Sequence, residues 1–334
     1  MKPNVKPNAK LHSRNVNVPY SLLVTLLLSI SGLLVQPAAA QQGGAKLNPL
    51  QVALLKWAPN LTTTFSVGSV PKGVAFDGAN IWVTNVGSDN LTKLRASDGA
   101  LQGTFTVGDQ PYGVAFDGAN IWVANHGSAN VTKLRASDGA LLGTFTVGAL
   151  PASVVFDGAN IWVVSHAGNA VTKLRASDGA QLGTFTVGSG PKFAAFDGAN
   201  IWVTNEESAN VTKLRASDGA VLGTFSVGTA PQGVAFDGTN IWVANEESDN
   251  VTKLRASDGA LQGTFTVGDE PYGVAFDGVS IWVANEGSNN LTKLRASDGA
   301  LLGTFTVGGK PYGVAFDGAN IWVANSNSGT VSKL

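Results

Sequence analysis

Short apolar runs alternate with polar turn segments through residues 61–334, and the pattern returns every forty residues. In the first repeat it predicts four short strands, at residues 73–76, 81–84, 90–95 and 103–107. The Asp-Gly pairs between the runs suit tight turns, because Gly adopts positive φ without a steric penalty. The first two runs, GVAF and IWV, do not alternate, which predicts strands buried on both faces. The fourth, TFTV, alternates, which predicts a strand with one exposed face.

The spacing of single residue types gives the number of repeats. Trp recurs at positions 82, 122, 162, 202, 242, 282 and 322, without an insertion or a deletion between copies. Four short strands in each of seven repeats of about forty residues are typical of a β-propeller. A linear β-solenoid is the rival architecture, but its coils are usually shorter and its strands parallel. The sequence therefore predicts an all-β, seven-bladed β-propeller with four antiparallel strands per blade.

The two ends of the repeat region are incomplete in complementary ways. The last repeat stops at Leu334, which corresponds to Leu294, and so lacks a fourth strand. Residues 61–68 match residues 301–308 and supply a fourth strand that has no blade of its own. We therefore expect the N-terminal strand to complete the last blade, which leaves no open edge between the first and the last repeat.

Residues 1–60 differ from the repeats. Residues 1–40 combine four basic residues, an apolar run of fifteen and a final Ala-Ala-Ala, the pattern of a secretory signal peptide cut near Ala40. An uncleaved anchor is the alternative, but a membrane span needs about 20 apolar residues. We expect residues 41–60 to form an extension with a short helix. The expected product is secreted, periplasmic or on the cell surface, with no membrane span after cleavage.

The composition excludes several kinds of active site and of partner. The chain has no Cys, which excludes thiol nucleophiles, disulfides and cysteine zinc sites. Lys and Arg number 22 against 23 Asp and Glu, and loss of the basic leader changes the net charge from −1 to −5. A nucleic-acid partner is therefore not expected. The repeated Trp is interpreted as core or interblade packing, and the repeated Lys93 and Arg95 pair as a solvated strand edge.

The copies differ mainly at two places. One follows their second strand, and the other follows the Pro that links each repeat to the one before it, which is Pro71 in the first repeat and is called the linking Pro. In a propeller these two loops share one face, around the mouth of the central channel, and we call this the channel-mouth face. After the second strand the copies have Val86, His126, His166, Glu206, Glu246, Glu286 and Ser326. After the linking Pro they have Lys72, Tyr112, Ala152, Lys192, Gln232, Tyr272 and Tyr312.

The His, Glu, Tyr and Lys members of these two sets are the candidate ligand-binding residues: His126, His166, Glu206, Glu246, Glu286, Tyr112, Tyr272, Tyr312, Lys72 and Lys192. Imidazoles and carboxylates are ligands of divalent metals, so His126, His166, Glu206 and Glu246 are candidate metal ligands, although no cofactor is predicted. Crowded carboxylates could also raise a pKa for acid–base work. The alternatives are a polar ligand or partner surface, and drift in tolerant loops. Equivalent positions lie a blade apart, so convergence on one ion needs side chains that lean inward.

The repeat unit, with its IWVTN and IWVAN stretches, resembles the YVTN repeat of seven-bladed propellers in exported and surface-layer-associated bacterial and archaeal proteins. More loosely, it is similar to NHL-type and streptogramin-lyase-like propellers. The resemblance implies the fold and is poorly specific for activity. Lyase-like repeats carry W-F-T-E, whereas this chain has Asn at that fourth place in six repeats and Ser165 in the third. The departure puts metal-assisted lyase chemistry of that type in doubt.

The sequence thus predicts an exported, monomeric binding or interaction propeller that uses its channel-mouth face. Its partner would be a protein, a cell-envelope component or a small molecule. The alternative is a metal-dependent, lyase- or lactonase-like enzyme with its site at the channel mouth. A purely structural envelope protein is a third interpretation.

Overall fold

The computed structural model describes residues 62–334, which form one propeller of seven four-stranded antiparallel sheets. The predicted signal peptide and residues 41–60 with their short helix lie outside the described residues. The strands are β1 Thr63–Ser66, β2 Pro71–Phe76, β3 Asn80–Asn85, β4 Asn90–Arg95, β5 Leu101–Thr106, β6 Pro111–Phe116, β7 Asn120–Asn125, β8 Asn130–Arg135, β9 Leu141–Thr146, β10 Pro151–Phe156, β11 Asn160–Ser165, β12 Ala170–Arg175, β13 Gln181–Thr186, β14 Pro191–Phe196, β15 Asn200–Asn205, β16 Asn210–Arg215, β17 Val221–Ser226, β18 Pro231–Phe236, β19 Asn240–Asn245, β20 Asn250–Arg255, β21 Leu261–Thr266, β22 Pro271–Phe276, β23 Ser280–Asn285, β24 Asn290–Arg295, β25 Leu301–Thr306, β26 Pro311–Phe316, β27 Ile321–Asn325 and β28 Thr330–Lys333. A short 3₁₀ helix spans Glu246–Ser248.

The order of strands within each blade matches the sequence prediction. The first blade runs β2-β3-β4-β5 from the channel outward, and the innermost strands of neighbouring blades contact one another around a closed ring. The second strands are buried along most of their length, and the fourth strands alternate between exposed and half-buried residues. The seventh blade runs β26-β27-β28-β1, and Thr63 pairs with Lys333 at one end of the closing ladder. The predicted closure by the N-terminal strand is confirmed.

Apolar clusters between adjacent blades form the core. Each combines the Trp of one blade with the Ile, Val and Leu of the next, as Trp82 does with Ile121, Val123 and Leu134. The ring of Trp82 also lies 5.2 Å from that of Phe105 on its own outer strand. The interpretation of the repeated Trp as interblade packing is thus confirmed.

One Asp per repeat supports this Trp from the turn between the first two strands. Asp77 accepts hydrogen bonds from Trp82 Nε1 at 2.7 Å and from the backbone N–H of Asn80 at 2.6 Å. Burial raises the pKa of Asp77, but the hydrogen bonds from Trp82, Ala79 and Asn80 outweigh it and hold the pKa below its ordinary value. Gly78 has φ 97° in the same turn, which explains the Asp-Gly pair.

The repeated Lys on the third strand is not a solvated edge, and that interpretation is wrong. Lys93 is buried, with its Nζ 4.9 Å from the ring centroid of Trp82. The Nζ donates to the backbone carbonyls of Ala136 at 2.7 Å and of Ser137 at 3.3 Å, both in the next blade. Arg95 is exposed as expected and pairs with Asp98 at 2.9 Å. Strand alternation alone could not distinguish the two residues, because side chains two residues apart on a strand lie on the same face. Lys93 lies opposite Trp82 within the sheet, whereas Arg95 is the exposed last residue of β4.

No helix within residues 62–334 is long and apolar enough to cross a membrane.

Candidate functional site

The channel-mouth face is built where the first strand of each blade begins and the second ends. Pro71 at the start of β2 lies opposite Asn85 at the end of β3. Val86 N donates to Val70 O at 3.0 Å, so the two variable loops of a blade are joined directly. The expectation that the two loops share one face is confirmed.

The Asn at the end of the second strand is a structural residue. Asn85 is fully buried, and its Oδ1 accepts from Gly68 N at 3.1 Å. Its Nδ2 donates to Asn90 Oδ1 at 2.8 Å and to Thr92 Oγ1 at 2.9 Å. An amide can donate and accept in this way, whereas an ionised carboxylate can only accept. The Asn that replaces the lyase-type Glu therefore holds the mouth loops together.

A cavity of about 330 Å³ opens at the channel mouth. Seven of the ten predicted site residues line it: Lys72, Tyr112, His126, His166, Lys192, Tyr272 and Tyr312. Leu150, Ala152 and Phe193 complete the lining, and none of the ten lining residues is acidic. The structure thus brings the lysines, histidines and tyrosines together, while Glu206, Glu246 and Glu286 lie outside the lining.

Three tyrosines surround the side chain of Lys72. Its Nζ lies 3.6 Å from the ring centroid of Tyr312, 5.7 Å from that of Tyr112 and 5.8 Å from that of Tyr272. The rings of Tyr272 and Tyr312 are 4.1 Å apart, and the ring of Phe193 meets that of Tyr272 edge-on at 6.1 Å. Aromatic faces attract an ammonium group through the ring quadrupole.

Burial shifts the titration of this aromatic group. Removal from water lowers the pKa of Lys72 to about 8, an effect that Glu286 opposes and Lys310 and Lys192 reinforce. Burial raises the pKa of Tyr272 and Tyr312 above the ordinary tyrosine value. The phenols therefore remain neutral hydrogen-bond donors, while Lys72 titrates close to neutral pH.

The two imidazoles form another part of the cavity wall. His126 stacks on Tyr112 with ring centroids 4.6 Å apart. The Nδ1 atoms of His126 and His166 are buried and have no hydrogen-bond partner among residues 62–334. Burial lowers the pKa of His126, against a smaller opposing effect of the Pro151 backbone. Seven other buried side-chain atoms between residues 62 and 334 also lack a partner, such as Asn125 Oδ1. It is their position on residues of the cavity wall, together with the missing partner, that makes the two imidazoles available to a ligand.

The carboxylates are already engaged outside the cavity. The buried Gln232 donates from its Nε2 to Glu206 Oε1 at 2.9 Å and to Glu246 Oε2 at 2.6 Å. Glu206 also pairs with Lys192 at 3.1 Å. Glu286 pairs with Lys310 at 3.0 Å. Burial raises the pKa of Glu246, Gln232 opposes the rise and the nearby Glu206 adds to it.

The candidate metal ligands are divided between these two places. His126 and His166 line the cavity, whereas Glu206 and Glu246 are bridged by Gln232. Among the residues that the structure describes, no three His, Asp or Glu side chains are grouped closely enough to hold one metal ion. The structure thus separates the two imidazoles from the two carboxylates, and a metal site at these four residues stays a prediction.

Phe193 and Gln232 are site residues that sequence reasoning missed. Phe193 occupies a position that is Gly in five of the seven repeats and Ser153 in another. A Cβ at the equivalent Gly273 would lie 2.1 Å from the backbone O of Tyr312, so adjacent inner strands normally leave no room there. The one large side chain at a position of close approach was a usable signal. Gln232 is one of several side-chain types at its position in the repeats, and nothing in the sequence indicated that it would bridge Glu206 and Glu246.

Solved structures with a similar fold include two lyases and a hydrazine synthase. The hydrazine synthase of Kuenenia stuttgartiensis superposes with a TM-score of 0.72 at 18% identity, over 89% of this chain and 99% of that one. A streptogramin B lyase gives 0.70 at 18% identity, over 81% and 96% of the two chains. The virginiamycin B lyase from Staphylococcus aureus gives 0.70 at 17% identity, over 81% and 98%.

At these identities the likeness shows the fold alone. No protein-family model matches the chain, and no match was found among curated proteins. What the comparisons establish is that this chain shares the seven-bladed propeller architecture that its repeats, resembling the YVTN type, imply.

Proposed function

We propose that this chain is a ligand-binding propeller that holds a small molecule in the cavity at its channel mouth. The observation that carries the proposal is the cavity of about 330 Å³, whose wall contains the unpartnered Nδ1 atoms of two histidines and an aromatic group around Lys72. Ligand pockets are typically concave, largely aromatic or apolar, and supplied with a few converging polar groups. A recessed cavity of this size favours a small molecule over a protein surface or a cell-envelope polymer.

The test uses a substitution that the fold already accommodates. Ala152 occupies the position that holds Tyr in three other blades, so Ala152→Tyr should fill the cavity without disturbing the blade. The control is Ala119→Tyr at an exposed turn on the opposite face. A set of neutral, anionic and cationic small molecules is screened by thermal shift and by ligand-observed NMR. We expect hits on the wild type and on Ala119→Tyr that Ala152→Tyr loses.

Two outcomes of this screen contradict the proposal. One is that no compound of any charge binds the wild type. The other is that the hits bind Ala152→Tyr as well as they bind the wild type, which would place them elsewhere. Both are decided before the chemical class of the ligand is considered.

An enzyme is the second candidate, favoured by the two imidazoles and by an amine that titrates near neutral pH in one cavity. Such groups serve as general acids and bases. Two of the similar folds are named as lyases, at 18% and 17% identity. The metal-dependent form is tested by the metal content of the purified chain and by thermal shift with Mg²⁺, Ca²⁺, Mn²⁺ and Zn²⁺. Bound metal or a cation-dependent shift that His126→Ala removes would favour it.

Export belongs to the same proposal and rests on residues 1–40. A basic segment, an apolar run and Ala-Ala-Ala before Gln41 support a secreted, periplasmic or cell-surface location. The mass of the chain recovered from outside the cytoplasm tests it, with a mature N-terminus at Gln41 as the expected result. Recovery of the intact chain from the cytoplasmic or membrane fraction would contradict it.

A further inference from the structure

We infer that the occupant of the channel-mouth cavity is an aromatic carboxylate, with its acidic group at Lys72 and its ring against the aromatic wall. The inference rests on the proposed ligand-binding function and names the class of ligand for the same site.

The lining of the cavity has basic residues and no acidic ones. It contains two lysines and two histidines and no carboxylate. Lys192 is already neutralised by Glu206 at 3.1 Å. In the described part of the chain, Lys72 forms neither an ion pair nor a hydrogen bond from its Nζ. One half-buried ammonium group is therefore left to face the cavity without a contacting anion, although Glu286 attracts it from outside the lining, and a buried charge is stable only when it is paired.

The chain contains its own reference for a satisfied buried lysine. On the third strands of the blades, Lys93 donates to two carbonyls of the next blade, and Lys133, Lys173, Lys213, Lys253 and Lys333 repeat the arrangement. Each of these lysines also lies over a Trp ring, as Lys72 lies over Tyr312. Lys72 thus lies over an aromatic ring but has no acceptor for its Nζ. A ligand carboxylate supplies that acceptor.

The wall beside Lys72 is suited to a flat ring. Tyr112 and His126 are stacked with an interplanar angle of 30°, and Phe193 stands edge-on to Tyr272. Aromatic rings prefer offset-stacked and edge-to-face neighbours, and these surfaces offer both. A cavity of about 330 Å³ lies at the small end of ligand pockets and suits a molecule of one or two rings.

A cationic ligand is the competing class, because three tyrosines around an ammonium also describe a cation site. The position among the rings is already taken by Lys72, 3.6 Å from the centroid of Tyr312. A second cation would face the ammonium group of Lys72 in a lining without a carboxylate. Charge therefore favours the anion, and the cation becomes an outcome of the test.

The experiment compares probes that differ in one property at a time. Isothermal titration calorimetry on the full propeller uses benzoate, phenylacetate and 2-naphthoate, each beside its neutral amide. Acetate and cyclohexanecarboxylate test the need for the ring, and benzylammonium tests the opposite charge. We expect the aromatic acids to bind at least tenfold more tightly than the amides, the non-aromatic acids and the cation.

Variants at Lys72 locate the anion. Lys72→Met should weaken the aromatic acids at least tenfold and leave the amides within about threefold, whereas Lys72→Arg should keep most of the preference for the acid. Arg135→Met, which removes an exposed positive charge away from the cavity lining, is the matched control and should change little. If Lys72→Met does not fold, the wild type still decides the matter. Affinity for the acids should fall as pH rises above about 8, because Lys72 then loses its proton.

The charged groups that act on Lys72 are Glu286, Glu246, Lys192 and Lys310. The inference is overturned if amides or benzylammonium bind as tightly as the acids, or if Lys72→Met keeps the preference for the acid. In either case binding that Ala152→Tyr abolishes would leave the proposed function standing. Absence of all binding would remove both.

Discussion

The two faces of the propeller differ in what their repeated residues do. On the face with the Asp-Gly turns, one contact recurs in all seven blades, as in the bonds of 2.7 Å from Trp82 to Asp77 and from Trp322 to Asp317. On the channel-mouth face the position after the linking Pro carries Lys, Tyr, Ala or Gln, and the contacts of this residue differ from blade to blade. Sevenfold repetition is expected where a contact maintains the blades, and its loss is expected where side chains serve a single cavity. The contrast can be tested by matched substitutions on the two sides.

The largest expected effect is on the repeated framework. Trp202 is fully buried and donates to Asp197 at 2.8 Å, so Trp202→Ala removes interblade packing and takes one donor from a half-buried carboxylate. We expect the free energy of unfolding to fall by about 3–5 kcal/mol. Lys310→Ala on the channel-mouth face should lower the free energy of unfolding far less, because that side chain is mostly exposed. Urea denaturation followed by Trp fluorescence and circular dichroism measures both, and similar values for the two variants would abolish the contrast.

The interblade lysines should give the next effect. Lys133→Met keeps the apolar stem over Trp122 but removes the donor for the carbonyls of Ala176 and Ser177, at 2.7 and 3.2 Å. Buried acceptors left without a donor cost about 1–3 kcal/mol. The same denaturation experiment measures this loss. Unchanged stability would mean that water replaces the ammonium group, and that Lys133 belongs with the solvated residues after all.

Lys72 should give an effect of opposite sign. Lys72→Met removes an ammonium group that burial penalises, and a pKa lowered from 10.5 to about 8 corresponds to roughly 1–2 kcal/mol of added stability at pH 7, after allowance for its lost contact with Tyr312. Between pH 8 and 10.5 the unfolded chain holds the proton that the folded chain has released. The contribution of Lys72 to stability therefore rises with pH across this interval.

The measurement is the pH dependence of the unfolding free energy for wild type and Lys72→Met. The difference between the two should be largest below pH 8 and shrink towards pH 10.5. A variant that is less stable than the wild type at pH 7 would show that Lys72 holds the mouth together rather than waiting for a ligand.

The smallest expected effect is at the exposed pair on the third strand. Arg135 and Asp138 lie 2.9 Å apart with about half of each side chain exposed, and solvent screening leaves such pairs a small contribution to stability. Arg135→Ala should therefore change the unfolding free energy far less than Lys133→Met, two residues away on the same strand. A double-mutant cycle with Asp138→Ala measures the pair directly, and a coupling as large as the effect of Lys133→Met would contradict the distinction.

Most of the fold followed from the sequence because the information was repeated seven times. The spacing of Trp predicted the blades. The extra fourth strand at residues 61–68 and the missing fourth strand of the repeat that stops at Leu334 predicted the closing strand. The error concerned Lys93, whose environment is decided by the neighbouring blade rather than by its own strand. Strand alternation places Lys93 and Arg95 on the same face and carries no information on how far along the strand the next blade covers that face.

The candidate site was predictable as a face and not as a cavity. The variable positions identified Lys72, Tyr112 and the histidines, but the sequence could not show that Glu206 and Glu246 lie outside the lining. That division depends on side-chain direction and on the hydrogen bonds of Gln232, neither of which follows from spacing. The shape of the cavity depends further on Phe193, whose effect arises from the close approach of inner strands at the equivalent glycines.

The closing strand also determines how the ring would respond to mechanical tension. Thr63 pairs with Lys333 at one end of the β1–β28 ladder and Ser66 pairs with Thr330 at the other, so both chain ends leave the ladder at the same end. A force that pulls the two ends apart would load the hydrogen bonds one after another, in an unzipping geometry, instead of all at once in shear. We therefore expect a stretched propeller to open first at the β1–β28 ladder. The other blades, each formed by one continuous stretch of chain, would come apart later.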